Sequence, residues 1–491
     1  MRRQTAISLG IAALVLATGP ARAQSVLTYH GDPARSGNFT MPALSWDRAH
    51  DMRPVANFAP RFDGHLYAQP LYWKPPGVGP ARLIVASENN TITAIDATNG
   101  ATIWNRYLGA PARLSTLPCG NIDPLGVTGT PVIDETSATL YLDAVIADRG
   151  PHHRIFALSL DDGSVKAGWP IDVGNALRAQ SQKFDPRVHN QRGALTMLGQ
   201  TLFVPFGGHF GDCGDYRGWV VGVPVADPQT IRFWGTRGKG GGIWAPGGIA
   251  SDGHSLFVAT GNTEDATEWA DGEGVFRLDP DLHRSATKTD FFAASDWHTL
   301  DDRDADLGGT NPLPFAVRRS DGAQRLVLAL GKDQRAYLLD QLDLGGIGGA
   351  LVVEKISAYP IRTAPATYPS AGQGYIAFEG RGGQCPSGQQ GDLTVLKITA
   401  GKPPTIGTAW CGAMAGAGAP IVTTTDGEAN PIVWIVGAEG DNRLHGFRGD
   451  TGEALFTSEP MAGLRHFQTL IAADGRLYVG ADGRLYAFAL P

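Results

Sequence analysis

A pattern first clear at residues 83–104 returns in degraded form down to residues 476–490. Each copy has a short apolar strand, a polar turn with Gly, Asp or Asn, a second strand ending near Asp or Leu, another turn and often a Trp. Further copies start near Thr139, Thr201, Ser255, Arg325, Gly374 and Pro431, making eight in all. Spacings of roughly 45 to 70 residues suit one four-stranded sheet per copy, because a strand and its turn together take about ten residues. The pattern predicts an all-β chain: an eight-bladed β-propeller of four-stranded antiparallel blades, forming one domain over residues 24–491. The last copy stops two strands in, at Pro491, so its outer strand is expected from the N-terminal region around residues 55–62. Such closure pairs an edge that would otherwise be exposed.

Composition narrows the function. The chain has 491 residues with 65 Gly, 33 Pro and 18% charged residues, which suits a large turn-rich core and not a helical protein. A net charge of -7 with no Lys/Arg cluster argues against nucleic acid as a partner, since phosphate binding needs concentrated positive charge. Residues 1–23 have a basic start, a short apolar run and a small-x-small end at Ala21-Arg22-Ala23, the pattern of a cleavable export signal. The run is short for a bilayer anchor, no Cys follows it for a lipid anchor, and no second apolar run of spanning length exists. A mature periplasmic or secreted protein with no transmembrane segment is expected.

Four Cys in an exported chain fit disulfides. Cys385 and Cys411 fall within one blade and are the favoured pair, while Cys119 with Cys213 would link loops of neighbouring blades. None has the short Cys-x-x-Cys spacing that zinc prefers.

Propeller sites sit where loops converge on the central funnel, so loops longer than a turn carry the information. Four stand out, at 117–134, 188–219, 240–262 and 291–313. The repeats, with the segments at 65–73, 126–134, 189–195, 240–248 and 304–309, resemble the pyrroloquinoline quinone (PQQ) propeller superfamily over nearly the whole mature chain. That superfamily includes quinoprotein alcohol dehydrogenases, and these segments look most like an exported bacterial branch of unassigned activity.

The resemblance implies a cofactor site. Trp244 is similar to the tryptophan on which the quinone stacks, a flat indole being a good platform for a planar tricycle. Lys332 resembles the basic residue paired with the quinone oxygens. Asn262, closing a strand that ends Thr-Gly-Asn, is similar to the asparagine whose carbonyl oxygen ligates Ca2+. Asp304 and Asp306 occupy the loop that carries the catalytic carboxylate in the dehydrogenases, with Asp302 a further candidate. Two features depart from that pattern. The calcium glutamate expected before an Arg-Gly pair is Cys213, leaving Asp212 and Asp215 as substitutes, and the adjacent-cysteine disulfide of many dehydrogenases is missing. Without the glutamate, calcium loses a charged ligand and the quinone its Lewis acid.

Most repeat residues read as structural. Trp104, Trp169, Trp234 and Trp410 end their copies and are expected to dock one blade on the next, and Asp96, Asp340 and Asp450 to cap turns. His189, His209 and His298 lie in the long loops, where metal binding or proton transfer competes with ordinary loop hydrogen bonding. Two functions remain. One is a quinoprotein-like dehydrogenase oxidising an alcohol or sugar with PQQ and Ca2+; lacking a haem-attachment motif, it needs an external electron acceptor. The other is a non-catalytic propeller serving as a cell-envelope scaffold for protein partners or as a ligand-binding module.

Overall fold

The protein is described by a computed structural model covering residues 25–491 apart from Ala286. The expected export signal lies outside the described residues. Among them, no helix is long and apolar enough to cross a membrane.

Eight largely antiparallel blades of four or five strands follow one another along the chain, with a further two-stranded pair among the described residues. The first runs through Leu71–Trp73, Arg82–Ala86, Thr91–Asp96 and Thr102–Tyr107. Each repeat recognised in the sequence coincides with the second and third strands of a blade, because those two are the most regularly apolar. The eighth blade contributes Leu470–Ala473, Arg476–Ala481 and Arg484–Ala489, one strand more than the two expected. Its outer edge is closed by Arg53–Pro54, antiparallel with Arg53 opposite Ala489 and Pro54 opposite Phe488. The closing strand therefore sits just before the expected segment at 55–62, and Val55 N–H extends it by donating to Ala487 O at 2.9 Å.

The apolar core lies between blades. One cluster joins Leu71, Ile84 and Trp104 of the first blade to Leu140, Phe156 and Leu158 of the second, and comparable clusters follow around the ring. The last joins Ile432 and Trp434 to Leu477 and Tyr478, and these to Leu83 and Val85 of the first blade. The docking tryptophans behave as expected. Trp104 donates to Leu160 O of the next blade at 3.0 Å, and Trp410 donates to Gly449 O at 2.8 Å. Trp234 packs on Phe276 with ring centroids 4.9 Å apart, and Trp169 packs on the cluster between the second and third blades. Asp96 and Asp340 accept turn N–H groups. Asp450 instead binds Arg448, with Nε to Oδ1 at 2.7 Å.

Residues 26–40 run across the hub. They pair with the first strand of several blades: Val26 with Tyr72, Leu27 O with Ile133 N–H, Pro33 O with Ser251 N–H, and Asn38–Thr40 in parallel with Val422–Thr424. Arg35, fully buried, fixes this segment by donating from Nε to Ile249 O at 3.1 Å and from a terminal nitrogen to Leu195 O at 2.8 Å.

Candidate functional site

A funnel-shaped cavity of about 980 Å³ opens at the hub, lined from the loop before the second blade round to the loop before the eighth. Its floor is built by three loops. Lys239–Gly240 pairs with Thr263–Glu264 and ties the Trp244 loop to the Asn262 loop, reinforced by Gly241 N–H donating to Asn262 O at 2.7 Å. Asp306 enters the turn Leu307–Gly309, and its carbonyl accepts Lys332 N–H at 2.8 Å, which brings the end of strand Gly322–Leu330 alongside.

The Asp306 carboxylate is the centre of this floor. Oδ1 accepts the Asn262 backbone N–H at 2.9 Å; Oδ2 accepts Trp244 Nε1–H at 3.1 Å and lies 2.7 Å from Lys332 Nζ. Lys332 Nζ also reaches Asp304 Oδ1 at 2.6 Å and stands 5.2 Å from the centre of the Trp244 ring. Burial pushes the Asp306 carboxyl above the ordinary carboxylate range against the opposing pull of the Lys332 ammonium. Desolvation pulls the Lys332 ammonium down, but the charges and hydrogen bonds of Asp306 and Asp304 together hold it above its usual range. Gly261 leaves room for this close approach. A Cβ on it would come within 3.0 Å of Asp306 Oδ1 and 3.1 Å of Trp244 Nε1.

Trp244, Asn262, Asp304, Asp306, Lys332 and Asp212 all line this one cavity. Asp215 does not, and Asp302 is turned away to His298, with Nδ1 to Oδ2 at 3.3 Å. Asp212 accepts the Tyr216 hydroxyl at 2.6 Å. Of the loop histidines, His209 lines the cavity, whereas His189 is buried with Nδ1 bonded to Asp185 O at 2.7 Å. Cys119 is disulfide-bonded to Cys213 and Cys385 to Cys411. Cys213 thus ties the third-blade loop to the loop that precedes the second blade.

The donor set does not suit calcium. That ion takes 6–8 oxygen ligands. Here Asn262 offers one carboxamide, both oxygens of Asp306 already accept hydrogen bonds, and Lys332 supplies the counter-charge a metal would bring. Among the described residues no three His, Cys, Asp or Glu groups are arranged to hold a metal. What the floor does offer is a flat stacking face, the Trp244 indole, beside the Lys332–Asp306 ion pair.

Sequence reasoning missed several residues. Glu273, fully buried, accepts Leu307 N–H at 2.6 Å behind Asp306, and desolvation together with the Asp306 charge raises its carboxyl well above the ordinary range. It sits in an unremarkable turn before Gly274–Leu278, with no local signal. Arg192, Arg362 and Glu379 also line the cavity. Arg192 lay within a loop the sequence singled out; the other two come together only through the ring.

No protein-family model matches the chain, and no curated protein matches it. Solved structures do. Quinohemoprotein alcohol dehydrogenase from Comamonas testosteroni is 15% identical with a TM-score of 0.68, covering 96% of this chain and 81% of its own. A europium-containing methanol dehydrogenase is 12% identical with a TM-score of 0.63, covering 95% and 98%. BamB from Moraxella catarrhalis is 14% identical with a TM-score of 0.52, covering 89% and 99%. The chain shares the eight-bladed propeller fold of these structures. Within that fold the same blades serve dehydrogenases and BamB alike, so the loops at the funnel have to carry the assignment.

Proposed function

We propose that the chain is an exported quinoprotein-like oxidoreductase that oxidises a small alcohol or sugar in its funnel. The observation that carries this reading is the joint contact of Asp306 with Trp244, Asn262 and Lys332 on one cavity floor. When bound, PQQ would supply the two-electron acceptor, and an external acceptor would reoxidise it. Trp244 offers the stacking face and Lys332 the cation that favours the reduced, more negative form. Asp306 accepts the substrate hydroxyl proton; its raised carboxyl range suits a base that must also release that proton. Asp304, at the exposed edge of the same loop, relays protons to solvent. Two disulfides suit an oxidising compartment, consistent with a periplasmic or secreted location.

The test is PQQ titration of purified protein, with and without Ca2+, followed by dye-linked oxidation of alcohols and aldoses. Saturable quinone binding that Trp244→Ala and Lys332→Ala weaken supports the reading. No binding at micromolar PQQ rejects it. A second reading, a non-catalytic envelope propeller that binds a ligand or protein partner, is favoured by one observation: the position of the expected calcium carboxylate is a cysteine locked in a disulfide. It predicts partner capture from an envelope extract that survives Trp244→Ala.

A further inference from the structure

Five of the six carboxyl groups that line the funnel are already engaged. Asp212 accepts the Tyr216 hydroxyl, Asp304 and Asp306 share Lys332, Asp392 binds Arg381 at 3.2 Å and Glu439 binds His466 at 2.8 Å. The sixth, Glu379, has neither an ion pair nor a side-chain hydrogen bond among the described residues. It ends Gln373–Glu379, the second strand of the sixth blade, and is only partly exposed. The segment 357–362 joins it to the floor. Ile361 N–H donates to Gly331 O at 3.2 Å, next to Lys332, and Ala358 N–H donates to Arg381 O at 2.7 Å, two residues beyond Glu379.

The charges around Glu379 leave it largely neutral. Burial, the main effect, and the charge of Asp392 push its carboxyl up to about 8 against the opposing Arg362 guanidinium, while Arg381 is taken by Asp392. At pH 7 the group therefore carries one O–H donor and free acceptor capacity. A hydroxyl group has the same pair of functions. A carboxyl held at a cavity wall without a protein partner costs free energy that a bond to a ligand recovers. Under the proposed function the hydroxyl to be oxidised meets Asp306, in the loop before the fifth blade, so Glu379 on the sixth blade calls for a second one.

We propose that Glu379 binds a hydroxyl group of the ligand, so that the funnel takes a polyhydroxy compound, a sugar or polyol, in preference to a simple alcohol. This rests on the funnel being the small-molecule site proposed above, and it adds the substrate class and the residue that reads it.

The experiment is calorimetric titration of the purified full chain with D-glucose and D-sorbitol, using ethanol as control, at pH 7 and pH 9, before and after addition of PQQ. The expected result is saturable binding of a polyhydroxy ligand, tighter than ethanol by about tenfold or more, the difference one hydrogen bond to a partly buried partner makes. A ligand that covers the carboxyl favours its neutral form, so wild-type affinity should fall by up to about tenfold from pH 7 to pH 9. Glu379→Gln keeps a donor and an acceptor without ionising; it should hold the pH 7 affinity and lose the fall. Glu379→Leu should lose the preference over ethanol with an unchanged melting temperature, because no protein group loses a partner. No binding of either polyhydroxy ligand, affinity no better than for ethanol, wild-type affinity in Glu379→Leu, or an equal fall with pH in wild type and Glu379→Gln overturns the inference. Polyol or sugar binding without PQQ binding leaves the inference standing and removes the quinoprotein reading. PQQ binding without a preference over ethanol does the opposite.

Discussion

At the scale of single residues, the chemistry rests on buried charges that compensate one another. Lys332 is the counter-ion of Asp306, whose side chain is only 3% exposed. Lys332→Ala should therefore destabilise the protein by about 3 kcal/mol, because it strands a buried carboxylate, and the Lys332→Ala/Asp306→Asn double variant should recover part of the loss in urea denaturation. Glu88 is a second buried acid, fully enclosed, with Oε2 accepting Gly126 N–H at 2.7 Å and burial raising its carboxyl from 4.5 to about 7. A carboxyl raised on folding favours the protonated fold. Its contribution is fully present below pH 4.5 and is lost as pH rises to about 7. Glu88→Gln keeps the neutral shape. Its melting temperature relative to wild type should rise between pH 5 and pH 8, equivalent to at most about 3 kcal/mol, and a difference independent of pH would contradict this.

At the scale of elements, the blades are joined by a repeated device. Trp104 lies over Gly163 of the following blade, and Trp410 over Gly452. Both glycines have positive φ, and a Cβ on either would come within 2.7 Å of its indole. Trp104→Ala should cost about 4 kcal/mol, as for other large aromatic truncations in a core, with Gly163→Ala destabilising in the same direction by thermal melting. This device was partly legible in advance, since a Trp closing several copies and turns rich in Gly and Asp are local patterns. Asp450 shows the limit: its position in a turn suggested backbone capping, but Arg448 two residues earlier takes the carboxylate.

At the scale of the whole molecule, the ring is held from both its edge and its hub. Arg53–Pro54 closes the last blade, and residues 26–40 cross the centre with Arg35 as their anchor. Arg35→Met would leave the Ile249 and Leu195 carbonyls of different blades without that donor. A loss of about 3 kcal/mol or more is expected, read as a lower denaturation midpoint with the single cooperative transition retained. The funnel is likewise a property of the ring. Its floor comes from the third to fifth blades, and its lining draws on residues as far apart as Arg192, Arg362 and Phe467.

The sequence alone determined the number of blades, their strand order, the closure from the N-terminal side and the loops that interrupt the pattern, because strand alternation and turn chemistry are local and repeat eight times. Tertiary structure decided the rest. Ring closure brought Trp244, Asn262, Asp306 and Lys332 onto one floor, paired Cys119 with Cys213, set Asp215 and Asp302 apart from the site, and brought Arg192 and Arg362 to the same cavity. The physical reason is distance along the chain. Hydrogen bonds and ion pairs act over a few ångströms, and only closing the ring brings residues separated by scores of positions within that reach.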